Sequence, residues 1–197
     1  MTRHRLVVFV CCLAAVWSGC RRKPAPPISE IHMQDPAARP RLLRGVYEGR
    51  EQWRWTSPTF AVSLDAPPGS PDLHLHLDFT LPSEVMSRPG AATLLARVNG
   101  VEVGRHSYDQ AGRYIFERPV PPPALQKRRG PAEIEFQLDR SFTEGGRVLG
   151  LIAVSAALLP YEETAGFGRA QMQLSREGYA KVLEQRNLRL PPAKQQE

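Results

Sequence analysis

The sequence predicts an antiparallel all-β fold, a jelly-roll-like β-sandwich followed by a short C-terminal helix. Two features predict it: short segments in which apolar and polar residues alternate, and breaks rich in proline and glycine that separate them. Alternation with a period of two buries one side of a strand. About eight such segments follow one another over residues 44–160 without helical crossovers, as in a sandwich or barrel. The long proline-rich loops favour the sandwich.

The first 19 residues are typical of a secretory signal peptide. Arg3 and Arg5 form a basic start, and an apolar run extends from Leu6 to Gly19. This run falls short of the about 20 apolar residues that cross a bilayer comfortably. A cleaved signal is therefore the better interpretation than a permanent transmembrane helix.

The end of this run, Ser18-Gly19-Cys20, resembles the lipobox of bacterial lipoproteins, with Trp17 where that family usually has leucine. The resemblance implies cleavage before Cys20 and attachment of a diacylglycerol to its thiol. Cleavage would leave Cys20 as the single cysteine, so no intramolecular disulfide could form. The alternatives are an ordinary signal peptide cut nearby, or an uncut membrane anchor.

The residues after the cysteine suggest where the protein resides. In the lipoprotein family an aspartate directly after the cysteine favours the inner membrane; Arg21 stands here, which implies the outer membrane. Several acyl chains would make the anchor stable, and the basic Arg21-Arg22-Lys23 could contact anionic head groups. No broad basic face with interleaved aromatics is evident, so we expect no nucleic-acid partner.

Residues 20–43 are predicted to be the lipidated cysteine and a tether. The stretch is rich in proline, alanine and charge and has no sustained period. Such a composition favours an extended, mobile segment. The folded domain is therefore predicted to begin at residue 44.

Within residues 44–160, four patterns define the predicted strands. "FAVSL" and "LHLHLDFTL" alternate, and so do "GRYIFERPV" and "AEIEFQL". Asn99-Gly100 lies between two short apolar runs and predicts a tight hairpin, because both residues tolerate positive φ. "GLIAVSAALLP" is more continuously apolar, which predicts a strand buried on both sides or a final central strand.

Residues 161–197 are predicted to form a linker, a short helix and a polar tail. Ser175 is a good N-cap, and Leu174 and Tyr179 occupy the hydrophobic-staple positions around it. The pattern predicts a helix over about 176–187.

Three stretches resemble a class of bacterial carbohydrate-binding-like jelly-roll modules. They are "RLLRGVYEGREQWRWTSPTFAVSL", "VNGVEVGRHSYDQAGRYIFERPVP" and "LGLIAVSAALLP", which together span about residues 42–160. The resemblance rests mainly on the "WRW" opening, with the Asn-Gly hairpin and the closing apolar strand. It implies the fold more firmly than an activity, because most such modules lack an assigned function.

The candidate ligand-binding residues are Trp53, Arg54 and Trp55. The two tryptophans lie two apart in a predicted strand and share a face, whereas Arg54 points the other way. Paired aromatic rings could stack on sugar rings, and Arg54 could bind a carboxylate or hydroxyl. The alternative is that the tryptophans are core residues and Arg54 pairs with a neighbour.

His74, His76 and Asp78 share the polar side of one predicted strand and are candidate metal ligands. Two histidines and a carboxylate could bind zinc or copper. Three ligands from one strand splay too widely to complete a tetrahedron, and nothing in the sequence brings His106 near. A solvated outer face explains the pattern, so we predict neither a metal nor another cofactor.

No enzyme motif is recognisable, and Glu133 and Glu135 alternate on one outward strand face. We therefore expect a non-enzymatic, membrane-anchored envelope lipoprotein whose β-sandwich binds a partner, either a glycan or another envelope protein. The alternative is a structural or assembly lipoprotein that docks on an envelope protein complex. A hydrolase assembled across loops is a third hypothesis, and it would need two facing carboxylates or a metal cluster.

Overall fold

The computed structural model describes residues 26–49, 52–70, 72–126 and 130–161. The described strands are β1 (Glu30–His32), β2 (Leu42–Val46), β3 (Arg54–Leu64), β4 (Leu73–Leu81), β5 (Ala92–Val98), β6 (Val101–Tyr108), β7 (Gly112–Val120), β8 (Ala132–Leu138), β9 (Phe142–Glu144), β10 (Arg147–Leu149) and β11 (Ile152–Pro160). The predicted signal peptide, Cys20 and the predicted C-terminal helix lie outside these residues.

Helices in the described ranges are short. Two 3-10 helices span Pro36–Arg41 and Val85–Ser87, and an α-helix, α1, spans Pro122–Gln126. The first is capped by Asp35, whose carboxylate accepts a hydrogen bond from the Ala37 amide at 2.8 Å. Within these ranges no helix has the length and apolar character needed to cross a membrane.

The main sheet is antiparallel in every described pairing, with the order β6-β5-β8-β3-β11-β4-β7. Strand β3 is the corner of this path. Its residues 59–64 pair with β8, whereas Arg54 and Trp55 pair with β11. Strand β1 adds to β11 and β2 adds to β3, and β9 and β10 form a separate hairpin.

The two halves of the bent sheet face each other across one apolar core. Phe79 on β4 contacts Tyr108 on β6 edge-on at 5.4 Å between ring centroids, and Phe116 on β7 contacts Phe136 on β8 at 6.4 Å. The two ends of the path also approach, because Arg118 on β7 donates a hydrogen bond to the Arg105 carbonyl on β6 at 2.9 Å. The all-β prediction is confirmed, with a sheet that nearly closes; the jelly-roll connectivity stays a prediction.

The alternating segments become strands for the reason predicted. The five apolar residues of β4 line the core and are all at most 2% exposed: Leu73, Leu75, Leu77, Phe79 and Leu81. Strand β11 lies between β4 on one side and β1 and β3 on the other, as its continuous apolar character predicted. Burying these side chains supplies the main driving force for folding.

The Asn-Gly hairpin is also present. Asn99 and Gly100 join β5 to β6 with φ values of 49° and 80°. The Asn99 side chain accepts a hydrogen bond from the Glu133 amide at 3.0 Å and donates one to the Ala124 carbonyl at 2.8 Å. The turn is therefore also tied to β8 and α1.

The start of the domain differs from the prediction. Residues 30–43, expected to belong to a mobile tether, include β1, which pairs with β11. Ile31 and Met33 are 3% and 0% exposed, and the Met33 amide donates to the Val154 carbonyl at 2.9 Å. The expectation of a mobile tether is therefore wrong for this segment, because two buried apolar side chains and the pairing with β11 fix it. The sequence did not indicate this, because a strand of three residues is too short to show a period of two.

Candidate functional site

The outward side of the sheet half formed by β11, β4 and β7 carries residues of both groups that the sequence singled out. Trp55 pairs with Ile152 on β11, and Ile152 pairs with Thr80 on β4. Residues that pair across strands point to the same side. One outward face therefore carries Trp55 at one end and, further along β4, His76 and His74.

Aromatic side chains form a patch at the first end of this face. We define the aromatic patch as Trp53, Trp55 and Phe142. The two indoles meet edge-on, with centroids 6.2 Å apart and an angle of 88° between planes. Trp55 contacts Phe142 of the β9–β10 hairpin at 5.7 Å and 71°. The patch thus joins the start of β3 to a hairpin far along the chain.

The tryptophans are half-buried, and neither is among the buried residues of the core. The Trp53 Nε1 atom is shielded from solvent and donates to no acceptor among the described residues. Since the two rings are perpendicular, they do not make one flat platform. The patch can offer one aromatic face to a ligand beside the edge of a second ring.

Arg54 is not part of this surface. Its side chain is buried, with the residue 6% exposed, and its Nε donates a hydrogen bond to the Met33 carbonyl at 2.6 Å. Strand alternation directs it away from the tryptophans, as predicted, but that direction leads inward. The expectation that Arg54 could bind a carboxylate or hydroxyl of a ligand is therefore wrong.

A further aromatic residue, Tyr47, borders the aromatic patch. The Tyr47 amide donates to the Trp55 carbonyl at 2.9 Å, and the Tyr47 hydroxyl donates to the Val148 carbonyl at 3.0 Å. The Arg147 guanidinium lies 5.4 Å from the centre of the Tyr47 ring, within cation–π range. These contacts hold the β9–β10 hairpin against the strand that carries Trp55.

Two histidines and a glutamate converge further along β4. His74 Nδ1 lies 2.8 Å from Glu117 Oε1, and His76 Nε2 lies 4.0 Å from the same oxygen. One ligand atom from each of the three residues lies within 4.8 Å of the other two. The sequence pointed to both histidines but missed Glu117, which is brought here by the pairing of His76 with Glu117 between β4 and β7.

Asp78 does not join this cluster. It forms a two-point ion pair with Arg113 on β7, Nε to Oδ1 at 2.9 Å and Nη2 to Oδ2. Burial raises the pKa of the Asp78 carboxyl, and the Arg113 guanidinium partly opposes that shift. Asp78 is thus committed to a structural pair.

The predicted solvated outer face is wrong for most of β4. His76 and Asp78 are each 1% exposed, and Thr80 is 3% exposed. Strand β4 is central, so side chains from β11 and β7 flank its polar residues on both sides. Burial lowers the pKa of His76, and His74 acts in the same direction while Glu117 opposes it. Burial thus disfavours the charged form of the His76 imidazole.

A groove of about 610 Å³ opens beside the histidine end of β4. Its described lining consists of Asp72, Leu73, His74, Pro119, Val120, Pro121, Pro122 and Tyr161. The Tyr161 ring is 4.8 Å from the His74 ring. His74 thus lies between the groove and the buried His76.

The outward glutamates of β8 lie in a network of ion pairs. Glu133 binds Arg44 at 2.7 Å, and Glu135 binds Arg44 at 2.5 Å and Arg97 at 3.0 Å. Arginine forks that occupy both carboxylates leave neither as a free acid or base. This pair therefore gives no support to the hydrolase hypothesis.

Comparisons with known proteins give only distant similarities. No known protein family matches the sequence, and a search of curated proteins finds no relative. A family GH115 4-O-methyl-α-glucuronidase with specificity for decorated arabinogalactans superposes with a TM-score of 0.43 at 9% identity, over 70% of this chain and 18% of that one. A family 35 carbohydrate-binding module from an environmental isolate gives 0.30 at 12% identity, over 71% of this chain and 91% of that one.

Two further solved structures are similar to the chain at the same low level. The cycloalternan-forming enzyme of Listeria monocytogenes superposes with a TM-score of 0.33 at 12% identity, over 68% of this chain and 11% of that one. Dimeric latent PorU of Porphyromonas gingivalis gives 0.33 at 14% identity, over 72% and 14%. The chain spans less than a fifth of these two proteins and of the glucuronidase. With TM-scores below 0.5, none of the similarities assigns a function.

Proposed function

We propose that the chain is a non-catalytic, membrane-anchored lipoprotein of the bacterial cell envelope whose β-sandwich binds a glycan. The aromatic patch carries the proposal. Trp53 and Trp55 are half-buried outside the core, and Trp55 is supported by Phe142. Aromatic rings held rigidly and partly exposed bind the apolar face of a ring-shaped ligand at low entropic cost.

The anchor in this proposal is the lipid on Cys20, and it rests on the lipobox-like Ser18-Gly19-Cys20 after an apolar run. Arg21, which stands where an aspartate would favour the inner membrane, favours the outer membrane. Mass spectrometry of the membrane fraction tests it: we expect a diacylated N-terminal cysteine. An unmodified N-terminus, or a Cys20→Ala variant that fractionates like the wild type, would contradict the anchor.

Glycan binding is tested with the full chain in a zwitterionic detergent, because detergents with sugar head groups would compete. Trp17 falls in the predicted signal peptide, so the fluorescence of the processed protein reports only on Trp53 and Trp55. We expect saturable binding on a glycan array that shifts this emission. Trp55→Ala should abolish binding, whereas Tyr161→Ala, an exposed aromatic outside the patch, should not.

Circular dichroism of each variant separates lost binding from lost folding. If the folded Trp55→Ala variant binds as the wild type does, or no glycan binds saturably, the glycan proposal is overturned.

The second candidate is a docking lipoprotein, and exposed apolar side chains on β2 and on the β9–β10 hairpin favour it. Val148 and Leu43 are each 45% exposed; Val148 lies on the hairpin that also carries Phe142 and pairs there with Thr143. Exposed apolar side chains suit a protein partner better than a sugar. Crosslinking to an envelope protein that Val148→Asp abolishes, with glycan binding absent, would favour docking.

A further inference from the structure

We propose that His74, His76 and Glu117 form a binding site for a divalent transition-metal ion, with Zn²⁺ the best match. The donor set is two imidazoles and one carboxylate from two neighbouring strands. Zinc sites with three protein ligands commonly use this set and leave a fourth position open. This site is separate from the aromatic patch and does not depend on the proposed function.

Sheet geometry brings the three ligands together. His74 and His76 are two apart on β4 and project to the same side. Glu117 on β7 is the direct cross-strand partner of His76. In the sequence the three candidate ligands lie on one strand and splay too widely to surround an ion. In the structure the third ligand is Glu117 on the neighbouring strand instead of Asp78, so the ligand atoms converge.

The distances are those of a site that closes by small side-chain rotations. Ligand atoms around a tetrahedral zinc at about 2.1 Å lie roughly 3.4 Å apart. Here His74 Nδ1 and Glu117 Oε1 are 2.8 Å apart, His76 Nε2 is 4.0 Å from that oxygen, and the whole set lies within 4.8 Å. The Glu117 side chain is 40% exposed and is free to make the adjustment.

The surroundings favour a cation. Of the two carboxylates on this face, Asp78 is paired with Arg113, and Glu117, which contacts His74 and His76, supplies the negative charge beside the imidazoles. To bind the metal through Nδ1, the His74 imidazole must carry its proton on Nε2. The present contact between His74 Nδ1 and Glu117 Oε1 is then replaced by one bond from each of these atoms to the metal. The groove beside His74 gives an ion a route from solvent.

The experiment is zinc titration of the full chain without an affinity tag, by calorimetry and by elemental analysis after dialysis. We expect one equivalent of zinc and a rise in the unfolding temperature with zinc concentration. Glu117→Gln and His76→Ala should each lose the equivalent of zinc. Cobalt should give a visible absorption band in the wild type that both variants lack.

His32→Ala is the matched control, because His32 and Glu30 form a second histidine–glutamate pair on β1, with Nε2 and Oε1 2.7 Å apart. One imidazole and one carboxylate do not complete a site, so this variant should keep the zinc. If His76→Ala fails to fold, the surface variant Glu117→Gln decides. Absence of saturable zinc binding, zinc retained in Glu117→Gln, or zinc lost in His32→Ala would each overturn the proposal.

Discussion

Arg54 on β3 donates a hydrogen bond from its buried Nε to the carbonyl oxygen of Met33 at 2.6 Å. This bond ties the segment after β1 to the corner strand of the sheet. Met33 itself is fully buried, and its amide is bonded to Val154. The segment at residues 30–33 is therefore part of the folded unit, and Arg54, which looked suited to ligand binding, serves to hold it.

Replacing Arg54 should therefore destabilise the fold. Arg54→Ala leaves the Met33 carbonyl buried without its donor, which costs about 1–3 kcal/mol of unfolding free energy. Chemical denaturation of the variant measures it. Arg39→Ala is the control, because Arg39 is exposed and its pair with Glu48 is a surface contact at 3.3 Å, expected to matter by less than about 1 kcal/mol. Equal stability of the two variants would contradict the role given to Arg54.

Removal of β1 is expected to have a larger effect. A chain that starts at residue 40 loses Ile31 and Met33, and burying each apolar side chain contributes about 1.5–3 kcal/mol. We expect a lower unfolding midpoint and exposure of apolar surface on β11, detectable by dye binding. A chain that starts at residue 26 keeps both side chains and should match the full chain. If the chains that start at residues 26 and 40 unfold at the same denaturant concentration, β1 contributes nothing to the free energy of unfolding.

Particular residues show why some features of the fold could be predicted from the sequence and others could not. Alternation predicted β4 and β8, and Asn99-Gly100 predicted the hairpin, because these signals are local. The burial of His76 and the position of Glu117 depend on which strands lie next to β4, and a period of two carries no information on that. For the same reason the alternation predicts that Arg54 points away from the tryptophans but not that its side chain is buried.

The turn at Asn99 allows backbone strain and side-chain hydrogen bonds to be separated. Asn99 has a φ of 49° and uses its amide for bonds to Glu133 and Ala124. Asn99→Gly keeps the backbone conformation and removes these bonds, whereas Asn99→Ala also introduces strain. We expect a loss of about 1–3 kcal/mol for glycine and a further loss of about 1 kcal/mol for alanine. Alanine as stable as glycine in denaturant unfolding would contradict this.

Gly45, the glycine of β2, is predicted to tolerate replacement poorly. Its φ is +69°, and an added Cβ would lie 2.3 Å from the Thr59 carbonyl oxygen and 2.8 Å from the Phe60 Cα. These contacts are with backbone, so β2 and β3 would have to separate. Gly69 has a similar φ of +79° with nothing within 4 Å of an added Cβ. Gly69→Ala should cost only the strain of about 1–2 kcal/mol, and Gly45→Ala clearly more, as measured by thermal unfolding.

The ion pairs of Glu135 should make stability depend on pH in the acid range. Hydrogen bonds from Arg44 on β2 lower the pKa of the Glu135 carboxyl, Arg97 on β5 adds to this, and partial burial opposes it. Glu133, the neighbouring acid on β8, shares Arg44. Because the folded-state pKa lies below the unfolded one, the contribution is complete above the unfolded pKa, about 4.3, and is lost as the pH falls through the folded value.

Glu135→Gln should remove this dependence. Solvent screens the pair, so the difference in unfolding free energy between wild type and variant should stay below about 1 kcal/mol near pH 7 and shrink as the pH drops below 4.3. Glu102→Gln provides the control, since the Glu102–Arg105 pair is exposed within one strand. Denaturant unfolding at a series of pH values measures both variants. A difference between wild type and Glu135→Gln that grows toward low pH would show that the ionised carboxylate does not stabilise the fold.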